Sequence, residues 1–202
     1  MLELRKIAVT GGLACGKSSV CRILEKHGAY VVSADAIVHR LLSPDTAIGQ
    51  KVIELLGSTI IVRNHTLDRK EIARIVFSDP LKLRALEKII HPAVLNEIQK
   101  RFQAVRKQGK FKLFVAEIPL LYESEGELFF DLVIAVTAEE EIARRRFQEA
   151  SGRSEQDYER RMARQMPTQE KAARADYPLT NNGSLQDLEN QMMPLLQELN
   201  LT

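Results

Sequence analysis

Residues Gly11-Gly12-Leu13-Ala14-Cys15-Gly16-Lys17-Ser18 follow the spacing G-x-x-x-x-G-K-[ST] without a mismatch. Each residue type in this pattern serves the binding of a polyphosphate. Glycines let the backbone turn so that successive N–H groups point inward at anionic oxygens. A helix beginning near Lys17 adds the positive end of its dipole. The Lys17 ammonium reaches the β- and γ-phosphates, and the Ser18 hydroxyl can ligate Mg²⁺. The chemistry is that of a phosphate loop holding a nucleoside triphosphate with its metal.

Asp35 offers a second chemical group, just past the apolar run Tyr30-Val31-Val32. A carboxylate there can take the proton from a substrate hydroxyl as it attacks the γ-phosphoryl group. It can equally be the N-cap of a following helix. Between Arg144 and Arg174 the chain has nine Lys or Arg against five Asp or Glu, a local excess of positive charge. Most such residues on a helix face solvent, yet a closing arginine can stabilise the charge spread over γ-phosphate oxygens by about 10³–10⁵ in rate. Cys15 lies inside the loop, where its backbone does the binding, and Cys21 reads as a small apolar residue of the next helix. No Cys/His cluster has the spacing of metal ligands, and the Asn-Lys-x-Asp motif of guanine-binding GTPases is absent.

These groups need strands and helices to bring them together. Leu4 to Thr10 reads as a short buried strand, broken by Gly11-Gly12 and followed by a helix from Lys17 to about Lys26. A second strand over Tyr30–Val32 ends at Ser33-Ala34-Asp35. From about residue 36 to 108 the pattern is mostly helical, with turns at Ser43-Pro44-Asp45, Gly57-Ser58 and Ser78-Asp79-Pro80. Strand character returns over 111–117 and 131–136, then weakly over 176–180 after the arginine-rich stretch. An amphipathic helix begins at about Ser184. Apolar strands alternating with helices predict an α/β fold with a parallel sheet covered on both faces. The carboxyl end of the second strand then opens onto the same crevice as the phosphate loop.

The 202 residues, 45% apolar and 28% charged, suit one globular unit with a substantial core. A net charge of +2 gives no basis for a nucleic-acid or membrane-surface partner. Two cysteines do not make a disulfide framework. No secretory leader and no membrane-length apolar run is visible, so the expected location is cytoplasmic.

The chain as a whole resembles the dephospho-CoA kinase family. The resemblance rests on residues 11–19 (GGLACGKSS), Ser33-Ala34-Asp35, Leu67-Asp68-Arg69, Ile90-His91-Pro92 and Pro119-Leu120-Leu121-Tyr122-Glu123. It extends to Asp131, Gln165 with Lys171, Ala175-Asp176 and Thr180-Asn181-Asn182-Gly183, from about residue 6 to 190. It implies a three-layer P-loop kinase fold with a five-stranded parallel sheet. Residues 1–35, 109–143 and 175–202 would form the nucleotide-binding core, 36–108 a helical CoA-binding insertion, and 144–174 a helical lid.

The resemblance implies transfer of phosphate from ATP, with Mg²⁺, to the ribose 3′-hydroxyl of dephospho-CoA, the last step of coenzyme A synthesis. Another small-molecule P-loop kinase, of the nucleoside monophosphate type, is the alternative. By family position Asp35 is the general base, Lys17 and Arg145 act on the phosphates, with Arg144 and Arg146 as rivals, and residues Gly11 to Ser19 bind ATP. Asn181 or Asn182 lies where the family contacts adenine, and His91 with Pro119, Leu120 and Leu121 lines the acceptor site. Glu117 and Glu123 flank that turn, and either could act near Mg²⁺ or substrate. A monomer and a trimer are both compatible with the family. The chain departs from the family pattern at Ser33, where Asp is common, at Ala14 and Cys15, where Gly and Ser are usual, and near Glu149, where a second lid arginine is missing.

Overall fold

In the computed structural model, which describes residues 4–62 and 66–201, the first strand β1 (Arg5–Gly11) lies at the centre of the main sheet. Its Ile7, Ala8 and Val9 are fully buried, as a strand covered on both faces requires. There follow α1 (Lys17–Lys26), β2 (Ala29–Ser33), α2 (Ala34–Leu41) and α3 (Ala47–Leu56). A small antiparallel pair, β3 (Ile61–Val62) and β4 (Thr66–Leu67), precedes α4 (Arg69–Ser78) and the long α5 (Pro80–Gln108). The chain returns to the sheet with β5 (Leu113–Glu117) and β6 (Leu132–Thr137), passes through α6 (Glu140–Ser151), α7 (Glu155–Met162) and α8 (Thr168–Arg174), and ends with β7 (Tyr177–Thr180) and α9 (Leu185–Glu198).

Five strands pair in parallel in the order β2-β5-β1-β6-β7. Parallel pairing places all their carboxyl ends along one edge, the edge at which doubly wound sheets bind ligands. Two aspartates close the opposite edge. Asp131 Oδ2 accepts from the Lys6 amide at 2.7 Å, and Asp176 Oδ2 accepts from the Val133 amide at 2.8 Å. Each bonds the amide of a strand beside its own, which helps set register. On α1, Val20, Cys21, Ile23 and Leu24 recur at helical spacing and are buried with Ile7, Val9, Val115, Ile134 and Val136. The last helix starts at a capping box: Asp187 donates its amide to Ser184 Oγ at 3.2 Å and accepts the Ser184 amide at 2.8 Å.

The chain divides into two compact units, Met1–Ser33 with Phe102–Thr202, and Ala34–Arg101. Among the described residues the second unit's regular elements are helices apart from β3 and β4, which the sequence pattern did not predict. The β-branched run Ile60-Ile61-Val62 after Gly57 was their only signal. Within this unit Asp68 caps α4, accepting from the Lys70 amide at 2.9 Å, and Arg69 Nη2 bonds His39 Nε2 at 2.8 Å. His91 and Pro92 lie inside α5. Pro92 is exposed, and having no N–H it leaves the Lys88 carbonyl without the usual i+4 donor. Among the described residues no helix is long and apolar enough to cross a membrane.

Candidate active site

The phosphate loop forms where β1 runs into α1, and two glycines are there for steric reasons. Gly11 has φ 138°, and a Cβ on it would overlap the Val136 carbonyl of the neighbouring strand. Gly16 has φ 99° and caps α1, and a Cβ there would overlap the Asn181 side-chain amide. Ala14 takes the left-handed conformation at φ 56°, which an L-residue adopts at a cost of about 1–2 kcal/mol. The family's usual glycine at this position would avoid that cost.

The loop is held from within by Lys17, which is buried and donates from Nζ to the carbonyls of Gly12 at 2.7 Å and Gly11 at 3.3 Å. An ammonium inside a turn whose following helix presents free N–H groups makes the loop an anion site. From outside, Asn181 Nδ2 donates to the Cys15 carbonyl at 2.9 Å. Arg146 Nη1 in turn donates to the Asn181 carbonyl at 2.7 Å. Asn182 instead pairs with Glu139, accepting its amide and donating to its carboxylate, each at 2.8 Å. Of the two asparagines, therefore, one supports the phosphate loop and the other the start of α6.

Ser18 Oγ donates to Glu117 Oε1 at 3.0 Å. Glu117 ends β5, in register with Val9 of β1 on one side and Ser33 of β2 on the other. A hydroxyl beside a carboxylate at the rim of an anion site is a pair of hard oxygen donors. Among the described residues no group of three or more His, Cys, Asp or Glu could hold a metal alone. This donor set fits Mg²⁺, which keeps waters and phosphate oxygens as its other ligands.

Glu123, the alternative near the metal, is engaged elsewhere. Its Oε1 lies 2.8 Å from Lys171 Nζ and accepts the Met166 amide at 2.8 Å. The Pro119 carbonyl accepts from Lys171 at 2.6 Å and from Thr10 Oγ1 at 3.3 Å. Leu120 is half-buried and Leu121 fully buried in the same turn. Lys171 had no predicted role beyond its motif match, because nothing in local spacing marks a lysine as buried.

The three adjacent arginines differ in their partners. Arg144 pairs with Glu140, Glu155 and Glu159 and thereby joins α6 to α7. Arg146 binds the Asn181 carbonyl. Arg145 is exposed and makes no hydrogen bond or ion pair with the described residues. Asp35, in the other unit, stands at the second position of α2, two residues past the Ser33–Glu117 register pair. It too is exposed, and no described residue bonds its carboxylate. It does not act as an N-cap, because the helix starts before it. His91 is half-buried on α5.

Both thiols are buried. Burial pushes the Cys15 thiol up, with the Lys17 charge acting against it, and pushes Cys21 up further. Neither is a nucleophile at neutral pH.

Comparison with known proteins places these features in a family. The sequence profile described as dephospho-CoA kinase matches residues 5–187. The dephospho-CoA kinase of Protochlamydia amoebophila (strain UWE25) is 50% identical over 202 residues, covering 100% of this chain and 99% of that one. Among solved structures, TT1252 from Thermus thermophilus is 34% identical with a TM-score of 0.83, covering 97% of this chain and 98% of that one. The dephospho-CoA kinase from Campylobacter jejuni is 27% identical with a TM-score of 0.69, covering 96% of each chain.

Proposed function

The chain belongs to the dephospho-CoA kinase family, phosphotransferases that use ATP to phosphorylate dephospho-CoA in coenzyme A synthesis, and we propose that the phosphoryl group goes to the ribose 3′-hydroxyl. The observation that supports this most is the match of nearly the whole chain, phosphate loop included, to that family. The nucleoside monophosphate kinase reading has no such support.

In this reading the N–H groups of residues Gly11 to Ser19 and the Lys17 ammonium hold the β- and γ-phosphates, while Asn181 and Asn182 flank the adenine end. Ser18 and Glu117 would hold Mg²⁺, which would supply charge neutralisation for the transferring phosphate. Asp35 accepts the proton of the 3′-hydroxyl as that oxygen bonds to the γ-phosphorus. The bond from the γ-phosphorus to the bridging oxygen breaks, and ADP leaves with the electron pair. Arg145 approaches the γ-phosphate oxygens as the charge spreads over them. His91 and the Pro119–Leu121 turn hold the acceptor, within a CoA-binding region at 36–108, and 144–174 acts as a lid that excludes water. The reaction takes place in the cytoplasm, on a monomer or a trimer.

The test is product identification. Purified protein is given ATP, Mg²⁺ and either dephospho-CoA or a panel of nucleoside monophosphates, and phosphorus NMR locates the new phosphate. A 3′-phosphorylated product from dephospho-CoA alone is expected. ATP turnover that never yields coenzyme A, or equal use of a nucleoside monophosphate, would overturn the reading.

A further inference from the structure

We propose that Glu123 is a positioning residue for the acceptor: through Lys171 it ties the Pro119–Leu121 turn to α8. The inference rests on the reading that this turn faces dephospho-CoA. Lys171 is fully buried, and its Nζ lies 2.8 Å from Glu123 Oε1 while donating to the Pro119 carbonyl at 2.6 Å. The same Glu123 oxygen accepts the Met166 amide at 2.8 Å, just before α8. The Pro119 carbonyl also receives Thr10, the residue before the phosphate loop, at 3.3 Å. One carboxylate and one carbonyl therefore join the end of β1, the acceptor turn and the base of the arginine-rich segment.

The turn is stiff enough to transmit that restraint. The Ser124 amide donates to Leu120 at 3.1 Å, the Gly126 amide to Leu121 at 2.9 Å, and Ser124 Oγ to Leu121 at 3.0 Å. A second strut runs beside the first. Arg174 donates to Glu127 Oε1 at 2.5 Å, with its guanidinium 4.3 Å from the centre of the buried Tyr122 ring. An ion pair with Lys171 fully buried and Glu123 only 18% exposed is a poor source of net stability, because apolar replacements of similar volume are often as stable. What the pair supplies that apolar residues cannot is direction: it sets where the Pro119 carbonyl, and with it Leu120 and Leu121, must lie.

That difference makes the proposal testable. Glu123→Leu combined with Lys171→Met removes the charges while keeping volume. The double variant also leaves the Met166 amide without its acceptor and the Pro119 carbonyl with Thr10 alone, so it is expected to melt a few degrees below the parent while keeping its KM for ATP within about twofold. Its KM for dephospho-CoA is expected to rise by about tenfold or more, the scale of a small misplacement of a binding group. Glu123→Gln keeps an oxygen for both donors and should stay within about threefold of the parent on both substrates. An unchanged acceptor KM in the double variant, or an equal rise for ATP, would overturn the proposal. If the double variant does not fold, Glu123→Ala against Glu123→Gln reads the same split between substrates. Leu120→Ala separates the two layers of inference. If it leaves the acceptor KM unchanged, the acceptor assignment of the turn fails. If it raises that KM while the Glu123 variants do not, the positioning role alone fails.

Discussion

The side-chain amide of Asn181 donates to the carbonyl of Cys15 at 2.9 Å, so the turn after the last strand holds the phosphate loop in shape from outside. Asn181→Ala leaves a buried carbonyl without its donor, a loss of about 1–2 kcal/mol. The KM for ATP is expected to rise by roughly tenfold, while the KM for dephospho-CoA stays near the parent value. Steady-state kinetics with each substrate varied in turn checks this. A change confined to dephospho-CoA would show that Asn181 does not support the nucleotide loop.

Ala14, at φ 56°, sits where glycine is at ease. Ala14→Gly removes a cost of about 1–2 kcal/mol but loosens the unfolded chain by about 0.4–1 kcal/mol. A small net stabilisation, roughly 0.5 kcal/mol, is expected in denaturant titration, with ATP binding retained. Gly16→Ala is the opposite case, since its Cβ would overlap Asn181, and it should weaken ATP binding sharply. If both substitutions behave alike, the loop conformation described above is wrong.

Glu117→Gln keeps the hydrogen bond with Ser18 but lowers the negative charge beside it. Half-saturation of turnover by Mg²⁺ should move to at least about tenfold higher concentration, because charge on the ligand oxygens sets the affinity of a hard cation. Chelation of Mg²⁺ should stop the parent enzyme, and added Mg²⁺ should restore it. A Glu117→Gln enzyme with the parent's Mg²⁺ dependence would remove Glu117 from the metal site.

Asp35→Asn keeps the shape of the residue but not its basicity. Turnover should fall by about 10²–10⁴, with ATP affinity within about twofold by calorimetry. Arg145→Ala should also lower turnover, by about 10³ or more. Arg144→Ala should instead act mainly on stability, because Arg144 joins α6 to α7 through Glu140, Glu155 and Glu159. Near-normal turnover in Asp35→Asn would reduce that residue to an exposed helix position.

Both cysteines should resist alkylation near pH 7.5 and react at the rate of unfolding. Burial raises both thiols, so the folded state holds the proton more tightly than the unfolded state does. Their contribution to stability is therefore complete below the ordinary thiol range and is lost as pH rises through and beyond it. Rapid labelling of folded protein would contradict the burial of both side chains.

Much of the fold was legible because its signals are local. The helix from Lys17 to Lys26 and the core strands read at 111–117 and 131–136, which the structure forms at 113–117 and 132–137, followed from apolar periodicity and glycine breaks. The β3–β4 hairpin escaped because strands of two residues leave no period to read. Asp131 and Asp176 matched family motifs, yet their bonds to the Lys6 and Val133 amides serve strand register at the edge away from the phosphate loop.

Local chemistry written into consecutive residues belongs to the sequence. The phosphate loop is of this kind in its chemistry, because G-x-x-x-x-G-K-S carries its own backbone N–H groups, ammonium and helix start, although Asn181 braces it from outside. Choices among equivalent side chains belong to the folded chain. Three adjacent arginines become an α6–α7 strut, a cation unpaired with any described residue and a support for Asn181 only when helix geometry points them in different directions. Glu117 and Glu123, six residues apart, separate into a partner of Ser18 and a partner of Lys171 for the same reason. Spacing along a chain records what a side chain is able to do, whereas its neighbours across the sheet, set by register and crossover, decide which of those things it does.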